Sequence, residues 1–444
     1  MNSKFSKIGF ILAVAGSAVG LENAWKFPTL VGENGGSAFV LLYLILTLGV
    51  AFVIFLAELS LGKLSEKDPV NAYKTLAPAH KKAWSFAGFT MIGGILIVSF
   101  YSMVIGWILK YVYLSASGNL PLDFQASKEL FNHLLTQDYS SQIICFTLIF
   151  LFVFYVVSKG VKEGIEKLNV WIMPTLFILL LIMLFYSASK DGFSLAVQFL
   201  LKPDFSKIGI ESILEALGLA FFSLSLGVGT IITYSASLPD KTNFISSSLS
   251  IVFINIFVGI LMGLVVFTFI FEFGANPSQQ GPGLIFISLT TLFAKFGVVG
   301  CIFATIFFIS LIFAGVTSAI SMIEPFTFYL INTFKMSRLK ALVLIGIIVY
   351  ILGVSCILSF MSSTSETFSL FGKSVFDILD FLSSKLIMPI GGILTAIFTG
   401  FIIDKQKLQK LFEPYVKKVY FELWYIFLRF VSPLAVVIIM IVSK

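Results

Sequence analysis

The chain has 444 residues, of which 58% are hydrophobic, 12% are charged and 50 are Phe. Soluble domains run to about 45–50% apolar and about 25% charged, so this composition excludes a soluble enzyme, a nucleic-acid binder and a disordered chain. The net charge of +7 fits basic loops on one side of a membrane rather than an acidic partner.

A membrane-crossing helix needs about 20 mostly apolar residues. Runs that qualify lie near 8–31, 37–62, 84–114, 141–158, 168–187, 212–237, 244–272, 297–331, 340–360, 386–403 and 426–443, which predicts eleven spans in an all-α integral membrane protein. The first run has no small-residue cleavage pattern and another span follows at once, so it reads as a span and not as a signal peptide. Lys63, Lys67, Lys74, Lys81 and Lys82 fall in one loop, Lys241 in another, and Lys405, Lys407, Lys410, Lys417 and Lys418 in a third. All three loops lie on the side of the N-terminus, which predicts a cytoplasmic N-terminus and, after eleven spans, a C-terminus ending at Lys444 outside. Residues 405–424 read as an amphipathic segment on the membrane surface.

Cys145, Cys301 and Cys356 sit in apolar runs without a CxxC pair, and His80 and His133 sit in polar stretches, so no disulfide framework or zinc site is implied. HExxH, GxSxG and paired catalytic histidines are absent, and no enzyme activity is expected.

Two spans are interrupted. The first holds Gly16 and Gly20 followed by Glu22 and Asn23; the sixth holds Ser223, Ser225, Gly227 and Gly229. Small residues at such spacing also serve plain helix packing. Two interruptions five spans apart fit an inverted repeat with helices broken at the midplane. Asn23 and Asn255 are costly to bury without partners, so their place in apolar spans argues for a polar site there.

The first span and its loop read GFILAVAGSAVGLENAWKFPTLVGENGGSAF. With AELSLGK (57–63), GIEKLNVWIMP (164–174), AFFSLSLGVGTIITYSAS (220–237), AGVTSAISMIEP (314–325) and FLSSKLIMPIGG (381–392), the chain resembles the neurotransmitter:sodium symporter family along essentially its whole length. The resemblance implies a LeuT-like fold in a single transporter domain over 1–444. It implies a 5+5 inverted repeat, 8–187 and 212–403, with spans 1 and 6 broken and an eleventh span at 426–443. It also implies a sodium-coupled amino-acid importer in a bacterial inner membrane. Its partners would be the amino acid and the lipid bilayer, with no nucleic acid and no obligatory protein partner. A non-transporting amino-acid receptor on the same scaffold is the alternative, against which stands the lack of a large soluble signalling domain.

The family's residues carry over position by position. Two sodium ions are expected. The first would be held by the carbonyl of Ala18, the side chains of Asn23 and Asn255, and Ser223. The second would be held by the carbonyls of Gly16, Val19 and Ala314 with the hydroxyls of Thr317 and Ser318. For those two hydroxyls, back-bonding to their own helix is the competing reading. The substrate would be bound at the broken part of span 1 by Ala18, Gly20 and Leu21, together with Ser223, its carboxylate meeting the N-terminal end of the outer half-helix and the hydroxyl of Tyr101. Gly20 stands where monoamine members carry an Asp, so the substrate should bring its own carboxylate. Ile97, Phe222, Ser225, Val228, Ser318 and Met322 would surround its side chain, with room for a large hydrophobic or aromatic group.

Lys26 and Asp380 match the family's outer Arg–Asp gate, although Lys lacks the bidentate fork of Arg and could instead snorkel to the surface. The family's inner Arg-Trp is missing from MNSKFSKIG, and Asn332 replaces an aspartate. Chloride is not expected. Leu219 and Gly259 stand at two chloride-associated positions, Tyr43 and Ser223 remain, and Glu22, where the family usually has Gly, is expected to replace the anion. Glu58 is the second choice for that role.

Overall fold

A computed structural model describes residues 4–202, 204–240, 242–277 and 283–442. Lys241 and Lys444, invoked above for orientation, lie outside the described residues.

Among the described residues, nine helices are long and apolar enough to cross a membrane: Ser37–Ser65, Lys81–Ala116, Tyr139–Ser158, Val161–Ala188, Phe244–Glu272, Gly297–Phe334, Arg338–Phe360, Val375–Ile402 and Lys418–Ile438. A tenth span is the pair Lys7–Ala18 and Leu21–Glu33, bent by 56° at its break. The eleventh is Ile210–Ser223 with Thr230–Ser235, each half too short to cross alone. In chain order these are spans 1 to 11, and the two broken ones are spans 1 and 6. Large apolar side chains such as Leu148, Phe185, Ile302 and Ile347 are exposed on the outside of the bundle, as a lipid solvent requires.

The starts of three spans differ most from the sequence reading, span 5 beginning at Val161 rather than 168. Span 10 begins at Val375, eleven residues before 386, because the polar run 377–385 is helical. The hydroxyl of Ser383 donates to the carbonyl of Leu379 at 2.7 Å and that of Ser384 to Asp380 Oδ1 at 2.8 Å, which satisfies groups that would otherwise oppose burial. Span 11 begins at Lys418 rather than 426. Of the segment 405–424, only Lys405–Phe412 forms a separate short helix. Its Phe412 stacks on Trp424 of span 11 at 4.5 Å, so that end is packed into the protein.

Each break has a local cause. Span 1 stops at Ala18; Val19 and Gly20 are extended, and the helix restarts at Leu21. Span 6 is interrupted over 224–229, where Ser225, Gly227 and Gly229 take φ of 52°, 81° and 73°. That left-handed region suits Gly and strains Ser. Gly227 is needed twice over, since a Cβ on it would lie 2.0 Å from the carbonyl oxygen of Met388 in span 10. The Gly227 N–H donates to Oε1 of fully buried Glu58 at 2.7 Å. Glu58 in span 2 therefore ties down the unwound backbone of span 6.

Gly227→Ala is expected to combine the left-handed penalty of about 1–2 kcal/mol with a backbone clash. Thermal unfolding in detergent should show a lower midpoint, and an unchanged midpoint would mean that spans 6 and 10 are not packed as described.

Candidate functional site

The break in span 1 faces the break in span 6 and the middle of span 8. Ser318 on span 8 points its hydroxyl at three carbonyl oxygens of span 1: Gly16 at 3.3 Å, Ser17 at 3.2 Å and Val19 at 3.4 Å. One hydroxyl has one proton to donate, so these oxygens outnumber the donor that meets them. Thr317, one residue earlier, back-bonds to the carbonyls of Phe313 and Ala314, both at 3.0 Å. The expected residues of the second sodium site are thus brought together, with Thr317 turned onto its own helix.

The residues expected at the first sodium site also meet. Asn23 Nδ2 donates to Asn255 Oδ1 at 2.9 Å and to its carbonyl at 3.2 Å, and Asn23 Oδ1 accepts from the Gly20 N–H at 3.1 Å. Asn255 Nδ2 donates to Ser223 Oγ at 3.2 Å and to Tyr43 OH at 3.3 Å, and those two hydroxyls lie 3.1 Å apart. All four side chains are buried. Ala18 is the last residue of the first half-helix, five residues before Asn23. These oxygens and amides are of the kind that hold a hard cation in place of water.

Around the third part of the site, Tyr101 OH accepts from the Leu21 N–H at 2.8 Å. Ile97, Ser225, Val228, Ser318 and Met322 are all buried, while Phe222 is partly exposed. Gly93 and Gly94 of span 3 let Val228 and Met322 approach. A Cβ on Gly93 would lie 3.1 Å from Val228 Cγ1, and one on Gly94 would lie 3.4 Å from Met322 Cβ.

Glu22 is 5% exposed, and its carboxylate does not reach the Tyr43–Ser223 pair by any hydrogen bond described. It folds back over Gly20 and accepts from Tyr101 OH at 3.3 Å. Lys26 and Asp380 form no ion pair among the described residues: the Lys26 ammonium lies 4.8 Å from the centre of the Phe222 ring, and Asp380 is bonded to Ser384.

Several contributors were not singled out from the sequence. Ser17 joins the two breaks, since its carbonyl accepts from Ser225 Oγ at 2.9 Å and its hydroxyl lies 2.7 Å from Ser321 Oγ. Asn169 on span 5 is fully buried with Oδ1 unpartnered, 2.1 Å from where a Cβ on Gly16 would sit. The signal for both was a polar residue in an apolar span.

The N-terminal end of the bundle closes without an Arg-Trp pair. Lys4 bridges Asp240 at 2.9 Å and Glu66 at 3.2 Å, and Lys63 reaches Asp240 at 3.1 Å. The Lys4 ammonium hydrogen-bonded to Asp240 holds that carboxyl below the usual carboxylate range. The Phe5 N–H donates to the Ser237 carbonyl at 3.0 Å, and the Phe5 ring packs edge-on against Tyr234 at 5.5 Å. Ser6 caps span 1, its hydroxyl oxygen accepting from the Gly9 N–H at 3.0 Å, and Glu166 holds the cap residue by accepting from the Ser6 N–H at 3.2 Å and from its hydroxyl at 2.5 Å. Asn332 donates to Asp68 at 3.2 Å.

A model of the sodium:neurotransmitter symporter family matches residues 2–135 and 133–444. The chain belongs to that family. It is 37% identical over 441 residues to the sodium-dependent transporter YhdH of Bacillus subtilis, covering 98% of this chain and 96% of the relative. It is 33% identical to a sodium-dependent transporter of Haemophilus influenzae, with 98% and 96% covered. The crystal structure of MhsT in complex with L-phenylalanine superposes with a TM-score of 0.90 at 33% identity over the whole of both chains. The architecture is therefore the LeuT-like fold, and this symporter-family chain is a multi-pass membrane protein.

Glu166→Ala should remove the charged acceptor of the Ser6 N–H and hydroxyl, at about 1.5–3 kcal/mol for hydrogen bonds to a charged group. Hydrogen exchange at residues 4–10 is expected to speed up at least about tenfold while exchange in the middle of span 8 stays unchanged. Equal protection at residues 4–10 in mutant and parent would show that Glu166 does not anchor this end.

Proposed function

We propose that the protein is a sodium-coupled importer of an amino acid with a hydrophobic or aromatic side chain, working by alternating access. The observation that carries this is the surplus of carbonyl oxygens at Ser318 where span 1 is unwound. Such oxygens in a low-dielectric interior call for a cation. The family membership and the likeness to MhsT, which holds L-phenylalanine, support an amino acid as cargo.

Two sodium ions are proposed. Ala18, Asn23, Ser223 and Asn255 hold the first, and Gly16, Val19, Ala314, Thr317 and Ser318 the second, once Thr317 turns from its own helix. The amino acid's carboxylate binds at Gly20, Leu21 and Tyr101, and its side chain lies among Ile97, Phe222, Ser225, Val228, Ser318 and Met322. Lys26 and Asp380 close over it from outside, and the Lys4–Asp240–Glu66 cluster with Phe5 closes the cytoplasmic end. Residues 8–187 and 212–403 form the two repeats, with the N-terminus cytoplasmic and the C-terminus outside a bacterial inner membrane. An ion entering down about 100 mV releases roughly 2.3 kcal/mol, and a tenfold gradient adds about 1.4 kcal/mol. Two ions supply roughly 7 kcal/mol for a zwitterion. Transport needs no chloride, because Leu219 and Gly259 stand at two chloride-associated positions; Glu22, expected from its sequence neighbour Asn23 to replace the anion, lies over Gly20 instead.

Proteoliposomes screened with the twenty amino acids should take up one or a few apolar ones when sodium, but not potassium, is outside. Uptake should persist when gluconate replaces chloride. Uptake of none overturns the function, and loss in gluconate overturns the chloride assignment. Asn255→Ala should weaken sodium and substrate together, each by about tenfold or more, in paired binding titrations. Unchanged sodium dependence would remove Asn255 from the first site. Val228→Phe should shift the substrate ranking toward smaller side chains, and an unaltered ranking would displace Val228 from the pocket wall.

A further inference from the structure

Gly20 leaves a space that other atoms fill. A Cβ placed on it would lie 2.5 and 2.6 Å from the two carboxylate oxygens of Glu22 and 2.7 Å from the hydroxyl of Tyr101. Three oxygens from two side chains therefore converge on one face of the break in span 1. Glu22 comes from two residues further along span 1 and Tyr101 from span 3. Both side chains are buried, at 5% exposure each.

Proton counting limits what this seat can hold. The Tyr101 hydroxyl already accepts from the Leu21 N–H at 2.8 Å, and it donates to Glu22 Oε2 at 3.3 Å. It has one proton, so it serves one carboxylate at a time. A second carboxylate in the same buried seat would also meet like-charge repulsion. The bond that Glu22 receives is long for O–H···O, where about 2.7–2.8 Å is usual, so it is readily exchanged. Glu22 has somewhere to go. Lys26 lies four residues on and has no ion pair among the described residues; its ammonium rests over the Phe222 ring at 4.8 Å.

We propose that Glu22 is a tethered occupant of the carboxylate seat: it fills the seat until an amino acid's own carboxylate displaces it, and it serves an amine that has no carboxylate as the missing anion. This rests on the assignment of Gly20, Leu21 and Tyr101 to the substrate carboxylate under the proposed function. It adds that the site carries its own competitor. An amino acid must evict Glu22, which weakens its binding. The corresponding amine leaves Glu22 in place and lies its ammonium against it, as a buried charge needs an opposite partner. Gly20 alone would imply strong rejection of amines, and Glu22 restores from two residues away the carboxylate that Gly20 lacks.

The test uses the full-length protein in nanodiscs at saturating sodium. The ligands are the L-amino acid taken up best in the proteoliposome screen and the amine made by removing its carboxylate. Calorimetry is run on the parent, on Glu22→Gln, which keeps the shape and removes the charge, and on Glu22→Gly. Both variants should bind the amino acid about tenfold more tightly, or ~1.4 kcal/mol, and the amine at least about tenfold more weakly. Opposite signs for two ligands in one variant cannot come from partial misfolding. Variants in which both ligands weaken, or neither changes, would overturn the proposal. A parent protein that takes up no amino acid overturns the proposed function, and this inference falls with it. A parent that takes up an amino acid but shows same-sign effects at Glu22 overturns this inference alone.

Discussion

Backbone polar groups inside a bilayer must find partners within the protein, and the two interrupted spans set that demand for the whole structure. Span 1 releases the carbonyls of Gly16, Ser17 and Val19, and span 6 releases the Gly227 N–H. Glu58 answers the N–H, and the hydroxyls of Ser225 and Ser318 answer some of the carbonyls. What remains is an excess of oxygen facing inward. A transporter of cations needs such an excess, because a site fully satisfied by its own hydrogen bonds would have nothing to offer an ion.

The asparagines illustrate the same balance. Asn23 and Asn255 are bonded to one another and to Ser223 and Tyr43, so their burial costs little while no ion is present. A cation at the proposed first site would take over oxygens already held in position, which lowers the ordering cost of binding. Thr317 differs, since its hydroxyl is turned onto its own helix and must rotate to face an ion. The two groups of residues thus stand at different degrees of readiness.

The N-terminal end of the bundle uses different residues for closure from those the family pattern led us to expect. A short segment, Lys4 to Ser6, carries an ion-pair cluster, a ring contact and hydrogen bonds to the Glu166 carboxylate in succession. Solvated ion pairs such as Lys4–Asp240 are worth little individually. The Ser6–Glu166 contact is part-buried and carries more of the hold. A closure built from several modest contacts is easy to open, as the proposed alternating access requires.

Composition, span count and the two interruptions were legible in the sequence, because a bilayer admits few solutions and a broken helix needs Gly and small polar residues at its break. The residues proposed for the two sodium sites came from the family resemblance; from the residues alone, only Asn23 and Asn255 stood out, because they are costly to bury unpaired in apolar spans. The polar start of span 10 and the early start of span 11 were not legible, because hydroxyl back-bonding and ring stacking make such stretches buriable in ways hydropathy does not register. Only the tertiary structure decided where Glu22 points. By sequence it neighbours Asn23 and was assigned to the anion of the first ion; in space its carboxylate lies over Gly20 and under the Tyr101 hydroxyl. Sequence fixes which charge is present within a few ångströms of a site, but the rotamer that chooses between two adjacent seats depends on which donor another span brings there.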